Sequence, residues 1–383
     1  MEPDIYFMPL GGGQRVGASC YYLRLGTANI ILDAGTGWDR VAMFEPDIHS
    51  LITTPLLQSP GQIHQIYISH AHMDHIGYLP ELMGRAYASQ VYMTEITALL
   101  AEYQLYDRRY LFGRTESENR RLATRYRLDQ VTTVSYMQKM DFGVYKVTFL
   151  PAGHIPGAMM MLFECGKRKI LYTGDYSLEG TSLTDGCIVP DSLAIDTVIL
   201  CGLHARQSGY IKKSDSLSRT ARKVIDLVQP GNPPILCRVP QLSKGIELVN
   251  ALNEQNSWGI PIYVDQSVMD VAAKMEQLSV PILGSSDRIM GGQVPTEPHI
   301  YVTFAHTARK NQIYREIQVD FCLHEDFSEM QKFIRRINPR QTVIVHCAKA
   351  NLPSDKTIEQ VIMTDGGCQT QFLFAEEKEL YRL

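Results

Sequence analysis

The sequence predicts an α/β protein: two stacked β-sheets that carry a smaller inserted α/β unit. Three observations predict it. Roughly the first two hundred of the 383 residues hold short β-branched or aromatic runs bounded by Gly, Pro or Asp. From Gly209 helical and strand patterns alternate, as in a small parallel sheet. After the turn-rich "GSSDRIMGGQVPTEP" a βαβ pattern returns to the first architecture.

The elements follow in order. "IYFMPL", "SCYYLRL", "NIILD", "QIYISH", "QVYMT", "YKVTFLP", "KILYTGD" and "DTVILC" read as strands, which two stacked sheets would bury. "SDSLSRTARKVIDLVQ" repeats apolar positions at helical spacing behind a Ser/Asp cap. "PPILCRV" is then a strand, "QLSKGIELVNALNE" a helix, "IPIYVD" a strand and "SVMDVAAKMEQL" a helix. "HIYVTF", the run from Tyr314 to Phe321, a helix from Asp326 and "QTVIVH" complete the chain.

Composition narrows the function. A 45% hydrophobic content permits a full core, and the net charge of -4 with a pI near 6.3 gives no global attraction for nucleic acid. Polyanion binding would need local clusters of Arg and Lys. No run of about 18 apolar residues suggests a membrane span, and the N-terminus shows no export pattern. The eight cysteines lack CxxC pairs or disulfide-like spacing. A soluble, cytoplasmic protein with reduced thiols and no membrane partner is expected.

"YISHAHMDHIGYLPEL" concentrates three histidines and an aspartate directly after a strand. Neither a dry core nor a solvated loop has use for that density, whereas a metal centre does. His70 and His72 lie two apart at a strand end, and Asp74 and His75 sit where the chain turns into a helix, so one pair can serve one metal and the next pair a second. Zinc takes neutral imidazole and carboxylate, and hydrolytic sites leave room for water. Asp33, His154, Asp175 and His346 each follow an apolar run and precede a turn, where sheet proteins place active-site groups.

"HAHMDH", "AGHIPGA", "YTGDYS" and "VIVH", in that order, resemble the metallo-β-lactamase superfamily. The opening "PLGGGQRVGASCYYLRLG", the insert, "LSKGIELVNAL" with Lys244 and Glu247, and "LHEDFSEMQKFIRRINPRQTVIVH" are similar to its β-CASP nuclease branch, which includes the pre-mRNA 3′-end cleavage endonuclease and ribonuclease J. The resemblance implies a metallo-β-lactamase αββα sandwich formed by residues 1–208 and 318–383, with a compact β-CASP-like domain at 209–317. It also implies two zinc ions per chain: His70, His72 and His154 on one, Asp74, His75 and His346 on the other, Asp175 bridging them and Asp33 orienting the cluster behind. Asp74, Asp175 and His324 would be the catalytic groups of a phosphodiesterase acting on RNA or single-stranded DNA. A water-derived nucleophile between the metals would attack phosphorus, and His324 would protonate the leaving oxygen. The same fold would also serve a hydrolase of a small ester, lactone or cyclic phosphodiester, or a weakly active subunit that binds nucleic acid or a partner. A second copy of the chain or another protein is a further expected partner.

One position departs from the branch. An acid normally follows the strand after the bridging aspartate and pairs with the histidine matched by His324, but Cys201 stands there in "VILCGLHARQ". A thiol orients an imidazolium poorly, so Cys201→Asp is expected to strengthen proton donation. His204 and Glu325 are the candidates to replace the acid.

Substrate contacts are expected from charge. Between Arg206 and Lys244 stand eight basic residues, including Lys212, Lys213 and Arg219, against two acids. "DRRYLFGRTESENRRLATRYRLD" interleaves three aromatics with seven arginines as a second candidate surface. For both, an ordinary solvated face is the competing reading.

Overall fold

The computed structural model describes residues 3–39, 42–106, 130–206, 213–240, 242–280, 297–304, 313–319, 321–347, 357–364 and 368–383. The chain divides into two compact units: residues 1–178, 186–210 and 324–383 form one, and residues 179–185 and 211–323 the other.

The first unit holds two seven-stranded sheets. One runs β20 (Tyr381–Arg382), β1 (Ile5–Gly11), β2 (Cys20–Leu25), β3 (Ala28–Leu32), β6 (Gln65–Tyr67), β7 (Gln90–Thr94) and β8 (Val131–Val134). The other runs β19 (Gln371–Phe374), β18 (Gln341–Val345), β13 (Thr197–Cys201), β12 (Arg168–Tyr172), β11 (Met159–Cys165), β10 (Lys146–Pro151) and β9 (Lys139–Asp141). Strand alternation sorts the side chains. Phe7, Tyr21, Leu23, Ile30 and Tyr67 of the first sheet meet Phe149, Met161, Phe163, Ile170 and Tyr172 of the second in one buried core. On the outer face of the first sheet, Tyr22, Ile31, Ile66 and Met93 pack under Leu79, Leu82 and Ala101 of two helices. Behind the second sheet, helix Phe327–Ile337 buries Met330 and Phe333, with Phe333 4.6 Å from the Tyr176 ring. This is the αββα sandwich.

All eight predicted strands of the first part form. Parallel pairing brings their ends to one edge: β3 pairs with β6, β12 with β13 and β13 with β18. Asp33, His70, Asp175 and His346 therefore leave their strands on the same side. A two-stranded hairpin, β4 (Gly37–Trp38) and β5 (Met43–Phe44), follows Asp33.

The second unit carries a four-stranded parallel sheet in the order β15 (Ile262–Val264), β16 (Ile300–Phe304), β14 (Ile235–Val239) and β17 (Arg315–Gln318). Helices Lys213–Leu227, Ser243–Gln255 and Gln266–Gln277 complete it, as the alternating pattern predicts. Two expectations change. "HIYVTF" and the run after Tyr314 do not return to the sandwich, because β16 and β17 both pair with β14. The Val319 N–H also donates to the Arg238 carbonyl, so the second unit extends past residue 317. Residues 179–185 join it too: Ser182 donates to the buried Glu247 carboxylate at 2.7 Å and accepts from Asn250 at 2.8 Å.

Candidate metal centre

Two groups of side chains converge at the common strand edge. One ligand atom from each of His70, His72, His154 and Asp175 lies within 4.8 Å of the others, and the same holds for Asp74, His75, Asp175 and His346. Asp175 belongs to both: its Oδ1 is 3.3 Å from His75 Nε2, and its Oδ2 is 3.7 Å from His70 Nε2 and 3.8 Å from His154 Nε2.

His72 Nδ1 lies 3.1 Å from both His70 Nε2 and His154 Nε2. One ring nitrogen cannot satisfy two imidazoles, but ligands about 2.0–2.1 Å from a tetrahedral zinc stand about 3.3 Å apart. The donor set therefore fits a divalent metal. His70, His75, His154, His346 and Asp175 are buried, while Asp74 is 33% exposed at its side chain and His72 is half-buried, so the centre opens on the Asp74 and His72 side.

A buried scaffold fixes which nitrogen faces inward. Asp33, fully buried, accepts from His75 Nδ1 at 2.7 Å, Ser69 N at 2.6 Å, Ser69 Oγ at 2.8 Å and Tyr172 Oη at 2.5 Å. Ser19 Oγ is 2.8 Å from His346 Nδ1, and Ser69 Oγ is 3.0 Å from His70 Nδ1. Each contact holds Nδ1 and leaves Nε2 for the centre. Asp33 and His346 both take left-handed backbone, φ 59° and 53°, a conformation costly for residues other than glycine and characteristic of functional sites. Ser19, Ser69 and Tyr172 escape the sequence reading; of the three, Ser69 has a local signal, since it directly precedes His70.

The charges are arranged by burial and neighbours. Burial and the neighbouring His75 push His70 well below the usual imidazole value. Burial alone would also lower His75, but Asp175, Asp33 and Asp74 overcome it and hold it well above that value. Burial works to raise Asp175, yet His75, His324 and His346 keep it ionised far below the usual carboxylate range. A metal ion at the second group must therefore displace a proton from His75. Calorimetric titration of metal-free protein with zinc at neutral pH, in buffers of differing ionisation enthalpy, is expected to report about one proton released. Release of none would mean a neutral His75.

Cys201 has a different partner from the one its position suggests. Its thiol donates to Asp175 Oδ1 at 2.9 Å, and burial, Asp175 and Glu325 together push it well above its ordinary value. Glu325 is completely buried, so an acid does lie near Cys201, supplied by the residue after His324. His324 Nδ1 stands 3.3 Å from Asp175 Oδ2, and burial lowers it to about 3.

The expected substrate cations are less unified. Arg206, in the first unit, lies 4.4 Å over the Phe374 ring and donates to Gln14 at 3.4 Å. Arg219 is exposed on helix Lys213–Leu227, and Lys244 is half-buried with its Nζ 5.4 Å from the Phe321 ring centre. Lys212, the Lys213 side chain and the arginine-rich run at 107–129 lie outside the described residues.

Residues 13–214 match the profile of the metallo-β-lactamase superfamily. RNase aCSPSF2 of Saccharolobus solfataricus is 28% identical over 261 residues, 68% of this chain and 51% of that protein. Cleavage and polyadenylation specificity factor 73 of Drosophila melanogaster is 28% identical over 311 residues, 76% of this chain and 42% of that protein. The match thus spans about half or less of these relatives' own length. A crystal structure of a protein of unknown function from Enterococcus faecalis V583 overlays with a TM-score of 0.65, covering 99% of this chain and 100% of that one at 14% identity, a likeness of fold alone.

Proposed function

The chain belongs to the metallo-β-lactamase superfamily, in its β-CASP branch, and on that premise we propose that it is a two-zinc nuclease cleaving phosphodiester bonds in RNA or single-stranded DNA. The observation that carries this reading is Asp175, whose carboxylate belongs to both ligand groups. The likeness to a relative named as an RNase favours a nucleic acid over a small ester.

His70, His72, His154 and Asp175 would hold one ion, and Asp74, His75, Asp175 and His346 the other. Two zincs bound there would supply a water nucleophile at neutral pH and stabilise charge on the phosphoryl oxygens. The protein's own groups do the rest. Asp33, Ser69 and Ser19 keep the imidazoles in the facing tautomer. His324, neutral in the free protein, gains proton affinity beside an anionic phosphate and gives that proton to the leaving oxygen. Arg206, Lys212, Lys213, Arg219 and Lys244 would contact backbone phosphates. Among the described residues no helix is long and apolar enough to cross a membrane, and the eight free cysteines suit the reducing cytoplasm in which we place the protein.

Zinc-supplemented protein should carry about two ions per chain and cut end-labelled RNA or single-stranded DNA, with activity lost to a chelator and restored by zinc. Hydrolysis of a small chromogenic ester alone, with both polymers intact, would favour the small-substrate hydrolase. Protein without bound metal would end the metallohydrolase reading.

A further inference from the structure

β12, β13, β18 and β19 run parallel, so the strands that carry Asp175 and His346 to the metal centre begin together on the opposite rim. A cavity of about 660 Å³ opens there, within the range of about 300–1,000 Å³ usual for small-molecule sites. The five residues of β13, at about 3.3 Å each, place it roughly 16 Å from the metal ligands. Its walls carry Arg168 from β12, Arg340 from just before β18, Arg382 from β20 and the amides of Gln369 and Gln371. Among the described residues Asp196 is the sole acidic side chain lining it.

Asp196 holds two of these cations without a hydrogen bond to either. Its Oδ2 accepts from the Lys169 N–H at 2.9 Å, and its Oδ1 stands 3.7 Å from Nε of Arg168 and 3.7 Å from Nε of Arg340. At that separation the charges attract but no hydrogen bond forms. Arg168 Nε is buried with no hydrogen-bond partner, and the Arg340 side chain is 85% exposed. Arg382 donates to the exposed Asp4 at 2.9 Å. Leu383 also lines the cavity, yet the ion pairs of the three arginines go to Asp196 and Asp4 and none to its carboxylate. Arg336 shows the ordinary surface alternative, donating twice to Asp191 at 2.6 and 3.1 Å. A guanidinium is always charged and offers its N–H groups in a fixed fork. One carboxylate beside two of them, with a third in the same cavity, leaves a local excess of positive charge in a chain of net charge -4. A phosphate monoester brings about two charges and three acceptor oxygens, enough to engage both forks, where a carboxylate brings a single charge and a pair of oxygens.

We propose that this cavity binds the phosphate of a nucleotide, free or within a nucleic-acid strand, between Arg168 and Arg340, with Arg382 and the two glutamine amides around it. The site is separate from the metal centre and needs neither zinc nor cleavage. It therefore goes beyond the nuclease reading and stands without it.

The test titrates zinc-loaded protein calorimetrically with AMP and with a cleavage-resistant, single-stranded phosphorothioate oligonucleotide. Arg340→Gln, at an exposed position that folding does not need, should weaken AMP binding about tenfold, and Arg168→Gln in the same chain should weaken it further. Asp196→Asn keeps an acceptor for the Lys169 N–H but removes the competing charge, so it should tighten binding severalfold, which loss of a merely structural residue would not do. Arg336→Gln should leave the affinity unchanged, and zinc content should be the same in all four variants. An oligonucleotide that binds more tightly than AMP, with a salt slope lower by about 1.4 in the double variant, assigns the cavity to a strand. Equal affinity for the two assigns it to a free nucleotide. Unchanged AMP affinity in the double variant would overturn the inference, as would tighter binding of a glutamate-rich peptide, which would give this face to an acidic protein segment. The nuclease reading is decided separately, by cleavage of the natural-backbone polymer.

Discussion

Asp175→Asn protein is expected to lose its hydrolytic activity, with kcat lower by about a thousand-fold or more, equivalent to roughly 4 kcal/mol of barrier. The amide keeps the volume of the carboxylate but loses the charge and one of the two acceptor oxygens. In the wild type those oxygens face different groups, Oδ1 toward His75 at 3.3 Å and Oδ2 toward His70 and His154 at 3.7 and 3.8 Å. Elemental analysis after dialysis against zinc should show fewer than two bound ions, since neither group keeps its shared anion. Two retained ions together with wild-type kcat would refute the bridging role.

Cys201→Asp carries the second large effect, on stability rather than on the proton donation considered from sequence. The new carboxylate would stand where the thiol now donates to Asp175 at 2.9 Å and would feel the charge of buried Glu325. A hydrogen-bond donor is replaced by a third anion in a dry site, so metal-free protein should lose about 3–5 kcal/mol of stability. Such an aspartate has its folded pKa raised above its unfolded value of about 3.9. The deficit should therefore be small at acid pH and grow as pH rises toward neutrality. Denaturant unfolding of wild type, Cys201→Asp, Glu325→Gln and the double variant measures it, with the Glu325→Gln change expected to restore part of the loss. A Cys201→Asp protein of wild-type stability would refute this ledger of charges, and faster turnover would support the gain in proton donation expected from sequence.

The contrast shows what a sequence carries about such a site. Each of the seven inward-facing groups stands directly after an apolar run or within "HAHMDH", so chain order alone places them at strand ends, and parallel pairing does the rest. What surrounds them is not periodic. Ser19 and Tyr172 meet their partners across 327 and 139 residues of sequence, and nothing local to either announces the contact. Cys201 shows the same limit: its place in the strand is legible, but its neighbours Asp175 and Glu325 arrive from other elements. In the fold, the central strand β11 escapes pattern reading because "MMMLFEC" opens with three methionines, poor signals for strand, and it is buried nearly throughout. The helix Phe327–Ile337 is the opposite case. Asp326 and Glu329 form a reciprocal capping box, and Asn338 ends the helix in left-handed backbone at φ 47°, both readable from residue type.

Each ligand group draws on both layers of the sandwich. His70, His72, Asp74 and His75 follow β6 in one sheet, while His154, Asp175 and His346 follow β10, β12 and β18 in the other. An ion held by either group is then a rivet through two plates, fastening them along one rim, while away from it the plates meet through hydrophobic contact and the Tyr145 hydroxyl, which reaches Tyr67 at 2.8 Å and donates to Gln65 at 3.1 Å. Removing it unpins that rim and leaves the imidazole nitrogens and carboxylate oxygens that faced it without the cation they shared. Amide exchange should consequently quicken in the ends of β6, β12 and β18 nearest the centre before it quickens at their starts, so that the folded layers open like a hinge from the catalytic side.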